Sequence, residues 1–120
     1  MKLISTEELK EKLDRRDDFK LVMTFHAWAF EAKHIPGSIN IDSEESAAAL
    51  IDPSDYIVVY CVNEMCPASI SAYKIMEHKG FPNVYRYAGG LEAWESAGYP
   101  LIGYDIGKTI EPDDVFMSEK

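Results

Sequence analysis

Two residues in this chain have a side chain that can act as a soft nucleophile, Cys61 and Cys66, and they are its only cysteines. They fall in the stretch IVVYCVNEMCPASISAYKIMEHKG, residues 57–80. Four strand-forming residues run directly into Cys61. Cys66 stands immediately before Pro67 and a helical pattern. A loop that turns the chain between strand and helix has backbone N–H groups without ladder partners, and these can cradle an anion together with the first N–H groups of the helix. The positive end of the helix dipole adds to the same field. A thiolate in that setting is stabilised, and its pKa falls below the free value of about 8.5. Such a thiolate can attack an electrophilic sulfur and carry it as a persulfide, whose terminal sulfur is also anionic.

These considerations make Cys61 the candidate nucleophile and Val62, Asn63, Glu64, Met65 and Cys66 the candidate active-site loop. A packed, inert thiol is the competing account of Cys61, because free cysteine is often buried. Cys66 reads equally as a small residue at a helix start or as a second thiol able to attack Cys61. A disulfide needs Cα atoms roughly 4.4–6.8 Å apart with suitable Cβ directions. A loop wrapped around one sulfur is expected to hold the two cysteines too far apart or badly aimed, so that a persulfide on Cys61 survives with Cys66 present.

Metal chemistry is not expected. Two cysteines cannot close a zinc site, and His26, His34 and His78 do not cluster with them in sequence. No G-x-S-x-G motif supports serine catalysis. No cofactor is expected.

The elements needed to position such a loop are legible. STEELKEKL carries a capping-box pattern, Ser5 with Glu8, and predicts a helix over about residues 5–14. FKLVMTF predicts a strand. HAWAFEAKH predicts one or two helical turns, with Trp28 and Phe30 packing inward. IPGSINI predicts a turn and a brief strand. SEESAAALI predicts a helix with Ser43 as N-cap. YIVVYC, an unbroken apolar run, suits a central strand buried on both faces of a parallel sheet. PASISAYKIMEHKG predicts a helix with Pro67 at its first position and Gly80 past its end. NVYRY predicts a further strand, with Arg86 near its end able to face the site but read first as a surface residue. GGLEAWESAG predicts a turn and a short helix, its glycines answering a backbone need and Trp94 reading as core. Strands alternating with helices predict an α/β domain over residues 1–104, a mostly parallel sheet with helices on both faces. In such sheets ligands bind beyond the carboxyl ends of the strands, where Cys61 stands. Residues 105–120 form an acidic C-terminal extension with weak periodicity, expected to add an element or to be partly mobile.

Composition narrows the partners. The chain has 120 residues, is 47% hydrophobic and 28% charged, and carries a net charge of −9. That suits one ordinary globular domain. The negative charge disfavours nucleic acid and an anionic membrane surface. MKLISTEELKEKL has no apolar stretch typical of a signal peptide, and no run approaches the ~20 residues of a membrane span. A cytoplasmic location is the expectation, and there a lone cysteine pair is more often catalytic or redox-active than structural.

Several of these segments, in order, resemble the single-domain rhodanese-like proteins. ISTEELKEKL looks like the opening helix. HIPGSINI is similar to the family's G-H-I-P-G-A-I-N, with Lys33 in place of the leading glycine. IVVYC looks like the strand that presents the catalytic cysteine. HKGFPNVYRYAGGLEAWESAGYP is similar to the family's G-F-x-N-V-x-x-L-x-G-G-x-x-A-W-x-x-A-G-x-P ending. The resemblance spans about residues 4–100. It implies the rhodanese-like fold, Cys61 as the persulfide-carrying nucleophile and a sulfurtransferase activity. It implies as partners a small sulfane-sulfur donor or a protein persulfide, with a thiol or protein acceptor.

Where many members have D-x-R near the end of the second strand, this chain has Met23, Thr24 and Phe25. Where many have C-x-x-G-x-R as the loop, glycine is Glu64 and arginine is Cys66. Losing a guanidinium and gaining a carboxylate disfavours thiosulfate, a doubly charged anion, as the natural donor. Two other roles remain compatible with the residues: a non-catalytic regulatory or protein-binding module, and a dithiol redox protein using Cys61 and Cys66.

Overall fold

The computed structural model describes residues 1–104; the expectation for the acidic extension at 105–120 lies outside the described residues. Nine elements follow in chain order: α1 (Thr6–Asp14), β1 (Lys20–Met23), α2 (Ala27–Ala32), β2 (Ile39–Asn40), α3 (Glu44–Leu50), β3 (Ile57–Tyr60), α4 (Pro67–His78), β4 (Val84–Tyr87) and α5 (Gly90–Ser96). The four strands form one parallel sheet in the order β2-β1-β3-β4. The strand that ends at Cys61 is therefore internal, with β1 on one side and β4 on the other.

The apolar run of β3 explains its position. Ile57, Val58, Val59 and Tyr60 are all buried, each contributing about 1.5–3 kcal/mol by leaving water. Period-two alternation sends them to two cores. Val58 and Tyr60 join Leu9, Ala29, Leu91 and Trp94 under α1, α2 and α5. Ile57 and Val59 join Tyr73, Met76 and Ala47 under α3 and α4. Helices cover both faces, as the element order predicts.

Local signals operate as read from the sequence. The Ser5 side chain accepts from the Glu8 N–H while the Glu8 carboxylate accepts from the Ser5 N–H, closing the capping box. Those bonds to Ser5 hold the Glu8 carboxyl below its ordinary pKa. Ser43 caps α3 by accepting from the Ser46 N–H. Pro67 opens α4, and Gly80 follows it with φ +87°.

One expectation for α2 is corrected. Trp28 is 41% exposed, not packed inward. The helix has only six residues, and Ala29 and Ala32 occupy its buried face. Trp28 instead stacks beside His26 and Phe25 at the surface. No helix among the described residues is long and apolar enough to cross a membrane.

Candidate active site

The carboxyl end of β3 is fixed from three directions. The Thr24 N–H and hydroxyl both donate to the Tyr60 carbonyl, at 2.9 and 3.2 Å. The Tyr60 hydroxyl, wholly buried, accepts from the Ile35 N–H at 3.1 Å and lies 2.9 Å from Ser38 Oγ. Ser38 Oγ in turn donates to the Ile35 carbonyl at 2.6 Å, so the tyrosine hydroxyl donates to Ser38. Burial pushes the Tyr60 pKa well up. The segment around Ile35–Ser38 thus anchors the residue immediately before Cys61.

Helix α5 fixes the start of the loop. The N–H groups of Leu91 and Glu92 donate to the carbonyls of Cys61 and Val62, at 3.1 and 2.9 Å. That approach is close. A Cβ on Gly90 would overlap the Cys61 carbonyl oxygen and come within 2.8 Å of Val62, and Gly90 has φ +62°. Gly89 has an ordinary φ of −61° but no room, because a Cβ there would lie 2.7 Å from the Ala93 side chain. Trans peptides carry N–H opposite C=O, so the Val62 and Asn63 N–H groups turn away from α5. Among the described residues the N–H groups of Val62, Asn63 and Glu64 donate to no protein acceptor. They are the donors a loop-bound anion requires.

Asn63 shapes the rest of the turn. Its side-chain oxygen accepts from the Met65 N–H at 2.9 Å, its carbonyl accepts from the Cys66 N–H at 3.2 Å, and its amide donates to Glu92 at 3.2 Å. Cys61, Val62 and Cys66 are buried, Asn63 is half-buried, and Glu64 and Met65 are exposed. Cys66 is the N-cap of α4 and makes no side-chain capping bond.

This turn corrects the expectation that the cysteines are held apart. Cys61 and Cys66 are bonded as a disulfide, with Cα atoms 6.3 Å apart, inside the range such a bond accepts. The reason is local: Asn63 folds the loop back on itself and returns Cys66 to the end of β3. Both sulfurs sit in a small apolar cluster with Val62 and Ala32, flanked by Phe25 and Ala68.

A second correction concerns Arg86. It is 7% exposed, not a surface residue. It pairs with Val59 across β3 and β4, and its side chain runs beneath the loop. Nε donates to Ser69 Oγ and Nη2 donates to the Glu64 carbonyl, each at 3.0 Å. No carboxylate among the described residues pairs with it. A buried cation beside the N-terminal turn of a 12-residue helix adds to the positive end of the dipole instead of opposing it. Such an arrangement is stabilised by an anion. The guanidinium from β4 thus holds the loop through its Glu64 carbonyl.

A cavity of about 570 Å³ lies between α3 and α4, with Thr24 and Ala68 among its lining residues and neither cysteine. Among the described residues no cluster of three or more His, Cys, Asp or Glu could hold a metal ion.

Comparison with known proteins gives a consistent picture. The family model for the rhodanese-like domain matches residues 5–97. A thiosulfate sulfurtransferase GlpE of Pseudomonas syringae pv. syringae (strain B728a) is 37% identical over 75 residues, 60% of this chain and 67% of that protein. The crystal structure of the BH2092 protein from Bacillus halodurans superposes with a TM-score of 0.81 at 19% identity, over 96% of this chain and 89% of that one. The rhodanese-like domain of the Alr3790 protein from Anabaena, solved in solution, gives 0.78 at 23% identity, over 92% and 86%. At these identities the two structures bear on the fold alone.

Proposed function

Because the chain belongs to the family of rhodanese-like domains, we propose that it is a sulfurtransferase in which Cys61 accepts a sulfane sulfur as a persulfide and passes it to a thiol or protein acceptor. One observation carries this reading. Cys61 directly follows the internal strand β3, in a loop with the open N–H groups of Val62, Asn63 and Glu64, the start of α4 and the buried guanidinium of Arg86 bonded to the Glu64 carbonyl. That field favours the thiolate before transfer and the persulfide anion after it.

The GlpE relative carries thiosulfate in its name. In this chain Glu64 and Cys66 occupy the loop positions where the resemblance leads one to expect glycine and arginine. For that reason we take a low-molecular-weight or protein persulfide as the natural donor and place thiosulfate second. The reaction belongs in the cytoplasm, where a reducing setting keeps both cysteines as thiols.

Sulfur transfer from a panel of thiosulfate, glutathione persulfide and a protein persulfide to a thiol acceptor tests the reading. Transfer that vanishes in Cys61→Ser supports it. Transfer that persists in Cys61→Ser, or a complete lack of transfer from every donor, refutes it and leaves a binding module.

A further inference from the structure

We infer that Cys66 is a resolving thiol, which converts the Cys61 persulfide into a disulfide and releases hydrosulfide. The inference rests on the proposed persulfide at Cys61 and places the thiol that ends its lifetime in the same loop.

The placement of Cys66 carries the argument. Its sulfur is joined to Cys61 Sγ itself, the sulfur that would lie on the inner side of a persulfide. The loop conformation that allows this is held by contacts in which neither sulfur takes part: Cys66 N–H to Asn63, Met65 N–H to Asn63, and Arg86 to both Glu64 and Ser69. Burial points the same way. With the disulfide formed Cys61 is 1% exposed and Cys66 is fully buried, so an outside acceptor, like the donor before it, must displace the loop to reach Cys61, whereas Cys66 is already there. As N-cap of α4, with no capping bond of its own, Cys66 lies in the same positive field, which favours its thiolate.

The step balances as follows. Cys66 loses its thiol proton and its thiolate attacks Cys61 Sγ. The bond from Sγ to the outer sulfur breaks, the Sγ–Sγ bond forms, and the outer sulfur takes the electron pair. It leaves with the proton as hydrosulfide. The sulfane sulfur is reduced by two electrons, one from each cysteine sulfur. Attack on the outer sulfur would only move it to Cys66. An external dithiol then reduces the disulfide by exchange, leaving both cysteines as thiols and the dithiol oxidised.

The experiment uses the full chain, reduced, desalted and kept anaerobic, with one equivalent of glutathione persulfide. Intact mass and released hydrosulfide are followed without added thiol, and a control without donor must stay dithiol. Wild type is expected to end two hydrogen atoms lighter than its dithiol form and to release hydrosulfide. Cys66→Ser and Cys66→Ala are expected to keep the mass of one added sulfur at least tenfold longer. Dithiothreitol should restore wild type for a second round. Wild type that keeps the added sulfur as long as the two variants overturns the resolving role while leaving the persulfide intact. Failure of all three chains to gain sulfur overturns the persulfide reading itself.

Discussion

Replacing Arg86 with methionine should raise the pH at which Cys61 becomes a thiolate. The magnitude follows from the sheet. Arg86 stands opposite Val59 on the neighbouring strand, and Cys61 is two residues beyond Val59. Strands ~4.8 Å apart and a two-residue rise of ~6.6 Å put the two backbones about 8 Å apart. Taking that backbone separation as the scale of the charge separation, a unit charge interacts with a thiolate by about 2 kcal/mol at an effective dielectric of about 20. Losing it lowers the thiolate fraction on the acidic side of the titration about 30-fold. The less stabilised thiolate is also more nucleophilic, by about fivefold for a Brønsted slope near 0.5. Alkylation should therefore slow about fivefold at low pH and plateau about fivefold higher at high pH. The assay is iodoacetamide labelling against pH in a Cys66→Ser background, which leaves Cys61 as the only thiol. Arg86→Lys, which retains the charge, should stay close to the parent. A loosened loop alone would speed labelling at every pH. A midpoint and plateau in Arg86→Met that coincide with the parent would refute the assignment of Arg86 as the cation of this site.

Gly90→Ala should cost about 3 kcal/mol in urea unfolding, because a left-handed backbone penalty adds to overpacking against the Cys61 and Val62 carbonyls; Gly98→Ala, with φ +81° but open space, should cost only about 1 kcal/mol, and equal losses would contradict the close-approach argument. Tyr60→Phe should cost about 1–3 kcal/mol by leaving the Ile35 N–H without its acceptor. It should also flatten the alkaline limb of stability. The raised Tyr60 pKa means that the unfolded chain releases its proton first, so stability is complete below about pH 10 and falls as pH rises beyond it; urea midpoints from pH 8 to 11 read both effects. Glu64→Gln should raise thiosulfate turnover only about two- to threefold at low salt, since an exposed charge is well screened. The gain should vanish at roughly 0.5 M salt, where the Debye length is a few Å.

The parts of this fold that were legible in the sequence are those fixed by neighbours along the chain. The Ser5–Glu8 pair announces α1, Pro67 and Gly80 bracket α4, and the unbroken run Ile57–Tyr60 marks an internal strand, because each signal acts within one turn or one strand. For Arg86 the surface reading outranked the site-facing one because alternation along β4 gives the face of a side chain and not what covers that face. Its partners, Glu64 and Ser69, are 22 and 17 residues away in sequence. Trp28 was misplaced for a related reason. Aromatic burial is a tendency of large cores, and a six-residue helix has one narrow buried face that two alanines fill. The closeness of the two cysteines depended on the shape of a short loop. Asn63, a residue suited to side-chain-stabilised turns, was the available signal for that shape.

The most direct test of the account is to ask where a transferred sulfur goes. The Cys66→Ser chain, reduced and exposed anaerobically to glutathione persulfide, is analysed by intact-mass spectrometry and then by mapping of alkylated peptides. The account predicts a gain of one sulfur, located on Cys61, and no gain in the Cys61→Ser, Cys66→Ser double variant. An unchanged mass in the single variant, with glutathione persulfide and with a protein persulfide alike, would contradict it.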